Sequence, residues 1–214
     1  MRHIDKGSEP EYLTEHKEQW LRTFIESGKP RPDSKKYAHQ HIVDALKNVS
    51  YCKCFYCECS LSTEKAEVDH FIEVSEKKEL AFEWNNLNLS CNWCNRHKRP
   101  NKDIPIADVL DPCKDSDEEI QNCITFDGEV MHEVNNSDKG RFTIQKYDLN
   151  SDEQVYKRGK YLSSLILAIF PRVKCGGVKS LTDAEKEQIR SFSYPTRPFS
   201  YMVENNFLKF STNL

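Results

Sequence analysis

The stretch CNWCNRHK, residues 91 to 98, joins a pair of cysteines to a run of amide and basic side chains, and it decides how the middle of the chain folds. A similar pair, CFYC, lies at residues 54 to 57. Two CxxC pairs about thirty residues apart can build a tetrahedral metal site, because each pair bends so that both thiolates face one ion. We therefore predict a structural zinc ion, and its four ligands are Cys54, Cys57, Cys91 and Cys94. The alternative is four buried free thiols.

The chain contains nine cysteines, an odd number. In a reducing compartment this number indicates metal ligation together with bystander thiols, and it does not favour a disulfide scaffold. Cys52 and Cys59 offer alternative registers for the first pair, but one intervening residue fits a zinc knuckle poorly. Cys113, Cys123 and Cys175 have no comparable pairing and are expected to be bystanders. The sequence leaves the roles of these five thiols open.

Length and charge limit the classes of protein to consider. The chain has 214 residues and a formal net charge of -3. Its longest apolar run, LSSLILAIF at residues 162–170, is too short for a membrane span, and its first residues lack an apolar signal core. We expect a soluble cytoplasmic protein without a membrane partner. This net charge does not favour a protein that acts alone on polyanions, because affinity for nucleic acid comes from neutralising phosphates. A nucleic-acid-binding function would need a local cluster of positive charge or another subunit that supplies it.

The insert between the two cysteine pairs carries the candidate chemistry. EVDHF, residues 67–71, places Asp69 beside His70, while Asn86 lies in WNNLNL and Asn95 follows the second pair directly. A closed four-cysteine zinc site has no open coordination position and cannot activate water itself. Each residue also has an ordinary interpretation, as a turn cap, a core histidine, a turn residue or a helix N-cap. Their joint occurrence inside the cysteine frame favours a catalytic site.

This combination resembles the signature of HNH endonucleases, in the variant in which Asn replaces the last His. The resemblance implies a ββα-metal unit in which Asp69 and Asn95 bind a catalytic Mg²⁺ or Mn²⁺ ion through oxygen atoms. It implies that His70 is the general base that activates water, and that Asn86 orients His70 or braces the loop. His97 is a further candidate for a metal ligand or a phosphate contact.

A compact basic cluster follows the expected metal ligand Asn95. Because it adjoins the expected site, phosphate contact is favoured over a merely solvated helix face. The residues of this cluster are Arg96, Lys98, Arg99 and Lys102.

Short segments outside the motif resemble one HNH subfamily. They are MRHIDKGSEP at the start, CFYCE, IPIADVLDP, and PFSYMVENNFL near the end. This subfamily includes the nuclease subunit of Septu-type antiphage systems, which is also found beside some retrons. The resemblance implies the effector nuclease of a bacterial antiphage complex with an ABC/SMC-like ATPase partner and a DNA substrate. The alternatives are an RNA nuclease acting on tRNA, and a non-catalytic zinc-ribbon module that binds nucleic acid or a partner.

The flanking regions read as mainly helical. Apolar spacing predicts helices over residues 11–27, 36–49 and 152–170, and Thr182 caps a further helix. Asp127-Gly128 between alternating apolar runs predicts a hairpin, and RFTIQKYDLNS, residues 141–151, predicts one more strand.

We therefore predict an α+β fold, mostly helical, with a central ββα-metal unit and a four-cysteine zinc site. Its regions would be an N-terminal helical region (1–50), a zinc-stapled HNH core (51–105) and a C-terminal α/β region of the same compact body that binds the partner (106–214). The aromatic tail is expected to pack back on the body.

Overall fold

The computed structural model of the protein describes residues 1–173 and 182–208. The N-terminal helices are α1 (Glu11–Glu26), α2 (Ser34–Tyr37) and α3 (Gln40–Ser50). The middle of the chain contains β1 (Ala66–His70), β2 (Leu87–Cys91) and α4 (Asn92–His97). The elements that follow are α5 (Asp117–Cys123), β3 (Ile124–Asp127), β4 (Val130–Glu133), α6 (Asp138–Lys146), α7 (Asp152–Val173), α8 (Asp183–Arg190) and α9 (Ser200–Val203). The predicted α+β class, mostly helical with small sheets, is confirmed.

The N-terminal helices form because their apolar residues recur at helical spacing. Helix α1 buries Leu13, Trp20 and Phe24 along one face, as the pattern predicts. The helix predicted over residues 36–49 is divided in the structure, since α2 ends at Tyr37 and α3 begins at Gln40. The two residues between them, Ala38 and His39, turn the chain.

The central unit is a short antiparallel hairpin followed by a helix. Strands β1 and β2 pair in a register that sets Asp69 opposite Asn88 and His70 opposite Leu87. Every residue of β2 is buried, and the strand runs directly into α4, for which the Cys91 side chain is the N-cap. The chain therefore has a ββα unit at the predicted place, with the Asp-His pair at the end of its first strand.

The predicted hairpin around Asp127-Gly128 is confirmed. Strands β3 and β4 pair antiparallel, with Asp127 opposite Val130. Gly128 lies in the turn at a φ of 57°, in the left-handed region where glycine has no steric penalty. The turn of this hairpin was therefore predictable, because the glycine that it requires is visible in the sequence.

The strand predicted over residues 141–151 is wrong, because this segment belongs to α6 and the turn after it. Ser137 caps the helix by accepting a hydrogen bond from the backbone N–H of Gly140. The face that α6 buries carries Gly140, Thr143 and Lys146, which are spaced as in a helix. The alternation of Phe142 and Ile144 in the sequence is typical of a strand and led to the wrong prediction. In the structure the buried residues of this segment include the polar Thr143 and Lys146.

The last described helices follow the prediction closely. Helix α7 continues to Val173, three residues past the predicted end. Thr182 and Glu185 form the predicted capping box of α8. Tyr201 and Met202 of α9 are buried, so the described part of the aromatic tail packs on the body. Among the described residues, no helix combines the length and apolar character needed to cross a membrane.

Candidate active site

The four cysteines of the two CxxC pairs form one buried cluster. Their sulfur atoms all lie within 4.8 Å of one another, and the Cys57 and Cys91 sulfurs are 3.7 Å apart. A tetrahedron with Zn–S bonds of about 2.3 Å has sulfur–sulfur edges of about 3.8 Å. The backbone N–H of Cys94 also points at the Cys91 sulfur, at 3.4 Å. The cluster is consistent with a tetrahedral zinc site, and its members are Cys54, Cys57, Cys91 and Cys94.

A buried guanidinium group tests this interpretation. Arg158 of α7 has no solvent exposure, and its Nε donates to the Glu129 carbonyl at 2.6 Å. One terminal nitrogen, Nη1, has no hydrogen-bond partner among the described residues. Burial lowers the pKa of Arg158 to about 10, while the negative charge of Cys57 and Cys94 opposes the fall. A zinc tetrathiolate carries a net negative charge, so a buried cation that interacts electrostatically with Cys57 and Cys94 fits this group.

The other described cysteines are not members of this four-cysteine cluster. Cys59 is buried, and its sulfur lies within 4.8 Å of ligand atoms of Cys91 and Glu64, at the edge of the four-cysteine cluster. Burial raises the pKa of Cys113 to about 12, so this thiol stays protonated. Cys52 and Cys123 are half-buried free thiols, and Cys175 lies outside the described residues.

The carboxylate of Asp69 is held from two sides at the end of β1. The Tyr56 hydroxyl donates to it at 2.5 Å, and burial raises the pKa of this tyrosine well above its usual value, so the donor keeps its proton. The Lys98 ammonium lies 3.2 and 3.0 Å from the two carboxylate oxygens. It also donates to the carbonyls of His70, at 2.6 Å, and Phe71, at 3.1 Å. Lys98 therefore ties the end of α4 to the end of β1, and its expected phosphate contact stays a prediction.

The imidazole of His70 is fixed by a backbone carbonyl. Its Nε2 lies 2.8 Å from the oxygen of Ala81, which can only accept a hydrogen bond. Nε2 must therefore carry the proton, and in the neutral ring Nδ1 keeps a lone pair. Burial lowers the pKa of His70, although the Ala81 carbonyl and Asp69 oppose this effect. The ring also meets the edge of Tyr37, with centroids 4.6 Å apart. His70 is thus oriented and favoured in the neutral form that a general base requires.

Asn86 braces the loop that leads back from β1 to β2. Its side-chain oxygen accepts from the N–H of Ile72 at 2.7 Å. Its amide nitrogen donates to the carbonyls of Ile72, at 3.0 Å, and Leu80, at 3.1 Å. Since Ala81 follows Leu80, these bonds hold the carbonyl that fixes His70. The contacts correspond to the bracing role, the second of the two expected for Asn86.

Asn95 is positioned by a glutamate that the sequence analysis did not single out. Glu67 accepts hydrogen bonds from the side-chain amides of Asn95, at 2.7 Å, and Asn92, at 2.9 Å. Side chains alternate across a strand, so Glu67 and Asp69 share the face of β1 that meets α4. This two-residue period was the only available signal for Glu67. The contact leaves the amide oxygen of Asn95 available for another ligand.

A cleft of about 520 Å³ joins these groups. The predicted site residues that line it are Asp69, His70, Asn95, Arg96 and Lys98. Three other predicted residues do not line the cleft. His97 is exposed and stacks on Trp93, with ring centroids 3.8 Å apart. Arg99 donates to the Gln145 carbonyl at 3.1 Å, and Lys102 is exposed. Arg31 and Tyr37, which sequence reasoning missed, complete the wall from the N-terminal region.

Comparison with known proteins agrees with this geometry. Residues 52–101 match the HNH endonuclease family. The chain is 27% identical over 163 residues to the Septu protein PtuB of Bacillus thuringiensis, a match that covers 74% of this chain and 58% of that protein. It is equally 27% identical over 163 residues to the Septu protein PtuB of Bacillus mycoides (strain KBAB4), covering 61% of this chain and 54% of that protein.

The chain thus spans less than two thirds of the length of these two relatives. The family match covers the cysteine cluster, the hairpin and α4, which together carry the Asp-His pair. We conclude that residues 52–101 form an HNH endonuclease domain by their family match, and that the chain is a distant homologue of the Septu protein PtuB.

Proposed function

We propose that the chain is a metal-dependent endonuclease that hydrolyses phosphodiester bonds of DNA at the cleft around His70. One observation carries this proposal: His70 opens to the same cleft as Asp69 and Asn95, with its Nε2–H bonded to a carbonyl and its Nδ1 left as the basic nitrogen. A general base needs this tautomer and a neutral ring. The Ala81 carbonyl selects the tautomer, and burial, which lowers the pKa of His70, favours the neutral ring.

Asp69 and Asn95 are the residues that would hold a divalent ion, Mg²⁺ or Mn²⁺. Carboxylate and amide oxygens are the donors that such hard cations prefer. The Asp69 carboxylate offers about four lone-pair positions, and the bonds from Tyr56 and Lys98 leave capacity for one more ligand. When bound, the ion would stabilise negative charge on the phosphate and on the leaving 3′ oxygen.

The remaining steps belong to side chains of this domain. Nδ1 of His70 takes the proton of the attacking water, while the Ala81 carbonyl keeps the ring in place. Asn86 keeps the loop that carries this carbonyl from moving. Arg96, which is exposed and lines the cleft, contacts a phosphate of the substrate.

The four-cysteine cluster would hold a structural zinc ion. All four ligand positions are occupied by thiolates, so no position remains for water or substrate. Its role is mechanical, because Cys91 ends β2 and caps α4, the helix that carries Asn95. Zinc bound there would tie the turn that carries Cys54 and Cys57 to the junction of β2 and α4.

The similarity to PtuB supports a biological role as the effector nuclease of a bacterial antiphage complex, with an ATPase as its partner. A net charge of -3 accords with a partner that supplies part of the DNA-binding surface. RNA, such as tRNA, is the alternative substrate, since attack by water does not require a 2′-hydroxyl group. A non-catalytic zinc-ribbon module is the alternative class, and it gives Asp69, His70 and Asn95 no reason to share a cleft.

The test uses the full chain, alone and copurified with the expected ATPase partner. Each preparation is incubated with supercoiled plasmid and with tRNA in Mg²⁺, and in excess EDTA. We expect nicked plasmid in Mg²⁺, no nicking in EDTA, and no nicking by Asn95→Ala. Cleavage of tRNA in place of plasmid would change the substrate to RNA. If wild type and Asn95→Ala both bind nucleic acid and cut neither polymer, the protein is a binding module.

A further inference from the structure

The wall of the catalytic cleft extends beyond the HNH domain. Pro30, Arg31, Pro32 and Tyr37 line it, although the family match begins at residue 52. These residues belong to the turn between α1 and α2 and to α2 itself. The N-terminal region therefore meets the substrate path directly, in addition to packing on the core.

A second hollow adjoins the cleft on this side. It has a volume of about 370 Å³ and shares Arg31 and Pro32 with the cleft, so the two hollows adjoin along the turn that carries these residues. Lys29 and Lys36 add two further cations to its lining, while buried Phe24 and Phe82 contribute to it from the core. We call this second hollow, lined by Lys29, Arg31 and Lys36, the basic hollow.

The cations of the basic hollow are not neutralised within the described part of the chain. None of Lys29, Arg31 and Lys36 forms a salt bridge with a carboxylate there; Lys36 lies over the ring of Trp20, at 6.0 Å. The acidic residue in the lining is Asp33, whose carboxylate accepts a hydrogen bond from the backbone N–H of Lys35 at the start of α2. In a protein with a net charge of -3, this is a concentration of unpaired positive charge.

The turn that presents Arg31 is stiff. Prolines on both sides fix two of its φ angles. Gly28, at a φ of 63°, ends α1, and Asp33 caps α2, so the turn is anchored at both ends. A cation held on such a turn loses little conformational entropy when it binds, which suits it to contact a charged polymer.

We propose that the basic hollow is a second phosphate subsite for the substrate strand. The strand leaves the catalytic cleft past Arg31, and Lys29 and Lys36 bind the phosphates next to the one that is cut. This inference rests on the proposed nuclease function and adds the path of the strand. It also assigns the N-terminal region a role in substrate binding, which the basic cluster after Asn95 does not cover.

The test measures binding of a fluorescent oligonucleotide, single-stranded and duplex, to the full chain in a His70→Ala background, which binds without cutting. Lys29→Gln with Lys36→Gln removes two cations that line the basic hollow and not the cleft. We expect a weaker affinity, and a slope of log affinity against log salt that falls by about 1 for each lysine.

The matched control is Lys35→Gln with Lys160→Gln, which removes the same charge from exposed residues outside both hollows. It should keep the parent slope. Equal slopes for the two double variants, or no binding by the parent chain, would overturn the subsite. Cleavage by the wild-type chain is measured separately. If the wild type cuts but the two double variants have equal slopes, only the second subsite is rejected. If the wild type does not cut, the proposed function is rejected, and the binding measurement alone decides whether the basic hollow binds phosphates.

Discussion

The ammonium group of Lys98 neutralises the buried carboxylate of Asp69. Its side chain is 6% exposed, and it bonds to Asp69 and to two backbone carbonyls. Removing one member of a buried ion pair leaves the other charge desolvated, which costs about 3–5 kcal/mol. Lys98→Met should therefore lower the free energy of unfolding by about this amount, as measured by urea denaturation.

Arg96→Gln is the control for Lys98. Arg96 lies on the same helix and lines the same cleft, but it is exposed. Its loss should change stability by no more than about 0.5 kcal/mol while it weakens substrate binding. If Lys98→Met and Arg96→Gln have the same free energy of unfolding, Lys98 does not stabilise the fold, and phosphate contact is the role that remains for it.

Glu58 gives a prediction with a pH dependence. It is buried and accepts hydrogen bonds from Lys53 at 3.1 Å and Ser200 at 2.8 Å. Burial alone would raise its pKa, but the amino group of Met1 and the ammonium of Lys53 outweigh burial and lower it. A depressed folded-state pKa stabilises the fold above the unfolded value of about 4.3, and this contribution is lost as the pH falls below that value.

Glu58→Gln should accordingly cost about 3–5 kcal/mol at pH 7, because it leaves buried cations unpaired. The difference in unfolding free energy between wild type and variant should shrink as the pH falls below about 4, where Glu58 takes up a proton. Urea denaturation at several pH values measures it. A difference that grows towards acid pH would contradict the assigned ion pair.

At the scale of secondary-structure elements, two glycines in helices make opposite predictions. A Cβ atom on Gly140 of α6 would lie 2.1 Å from the backbone oxygen of Cys123, so the end of α5 and α6 approach too closely for any side chain. On Gly159 of α7, the atoms nearest to a Cβ atom belong to the flexible side chain of Glu129, at 3.6 Å or more, which is ordinary van der Waals contact.

Gly140→Ala should therefore destabilise the protein by at least about 1–3 kcal/mol, as overpacking does. Gly159→Ala should stabilise it by about 0.5–1 kcal/mol, since alanine favours a helix interior. Thermal denaturation of the two variants is the measurement. Equal effects of the two substitutions would show that α6 does not pack on α5 in this way.

The elements also show what could be predicted from sequence. The ββα unit was predictable because the spacing of Cys54, Cys57, Cys91 and Cys94 and the order of Asp69 and Asn95 reflect local geometry. Helix α6 was not, because its buried face includes Thr143 and Lys146, and the Lys146 ammonium bonds to carbonyls of Arg99 and Ile104 far away in the chain. Hydrophobic periodicity cannot reveal a buried polar face.

The site was predictable to a similar extent. The family resemblance named the residues that we propose contact substrate or metal, whereas Glu67 and the contacts of Lys98 depend on side chains about thirty positions apart. The same limit applies to Arg31 and Tyr37, which reach the cleft only through the packing of the N-terminal helices on the core. Tertiary contacts between distant segments are invisible to local patterns.

At the scale of the whole molecule, the C-terminal region is joined to the HNH domain. The backbone N–H of Phe199 donates to the carbonyl of Glu58 at 3.1 Å, and Arg158 of α7 brings its charge to the cysteine cluster. These contacts accord with one compact body, while the boundaries at residues 50 and 105 stay a prediction. Zinc binding should then depend on α7 as well as on the cysteines.

Arg158→Met tests this dependence through metal content. Loss of the buried cation removes the counter-charge of the tetrathiolate, so the variant should lose zinc faster to a chelator and unfold at a lower temperature. Lys160→Met, on the exposed side of the same helix, should retain zinc like the wild type. Zinc release followed with a colorimetric chelator distinguishes them. Equal rates of zinc release from the two variants would show that Arg158 does not stabilise the zinc site.

The central claim is that this cleft hydrolyses phosphodiester bonds with His70 as the base. The most direct measurement is the single-turnover cleavage rate of His70→Ala beside wild type, with zinc content and melting temperature matched. Loss of a general base predicts a fall of about 10²–10⁴-fold with both controls unchanged. A His70→Ala protein that cuts at the wild-type rate would contradict the account.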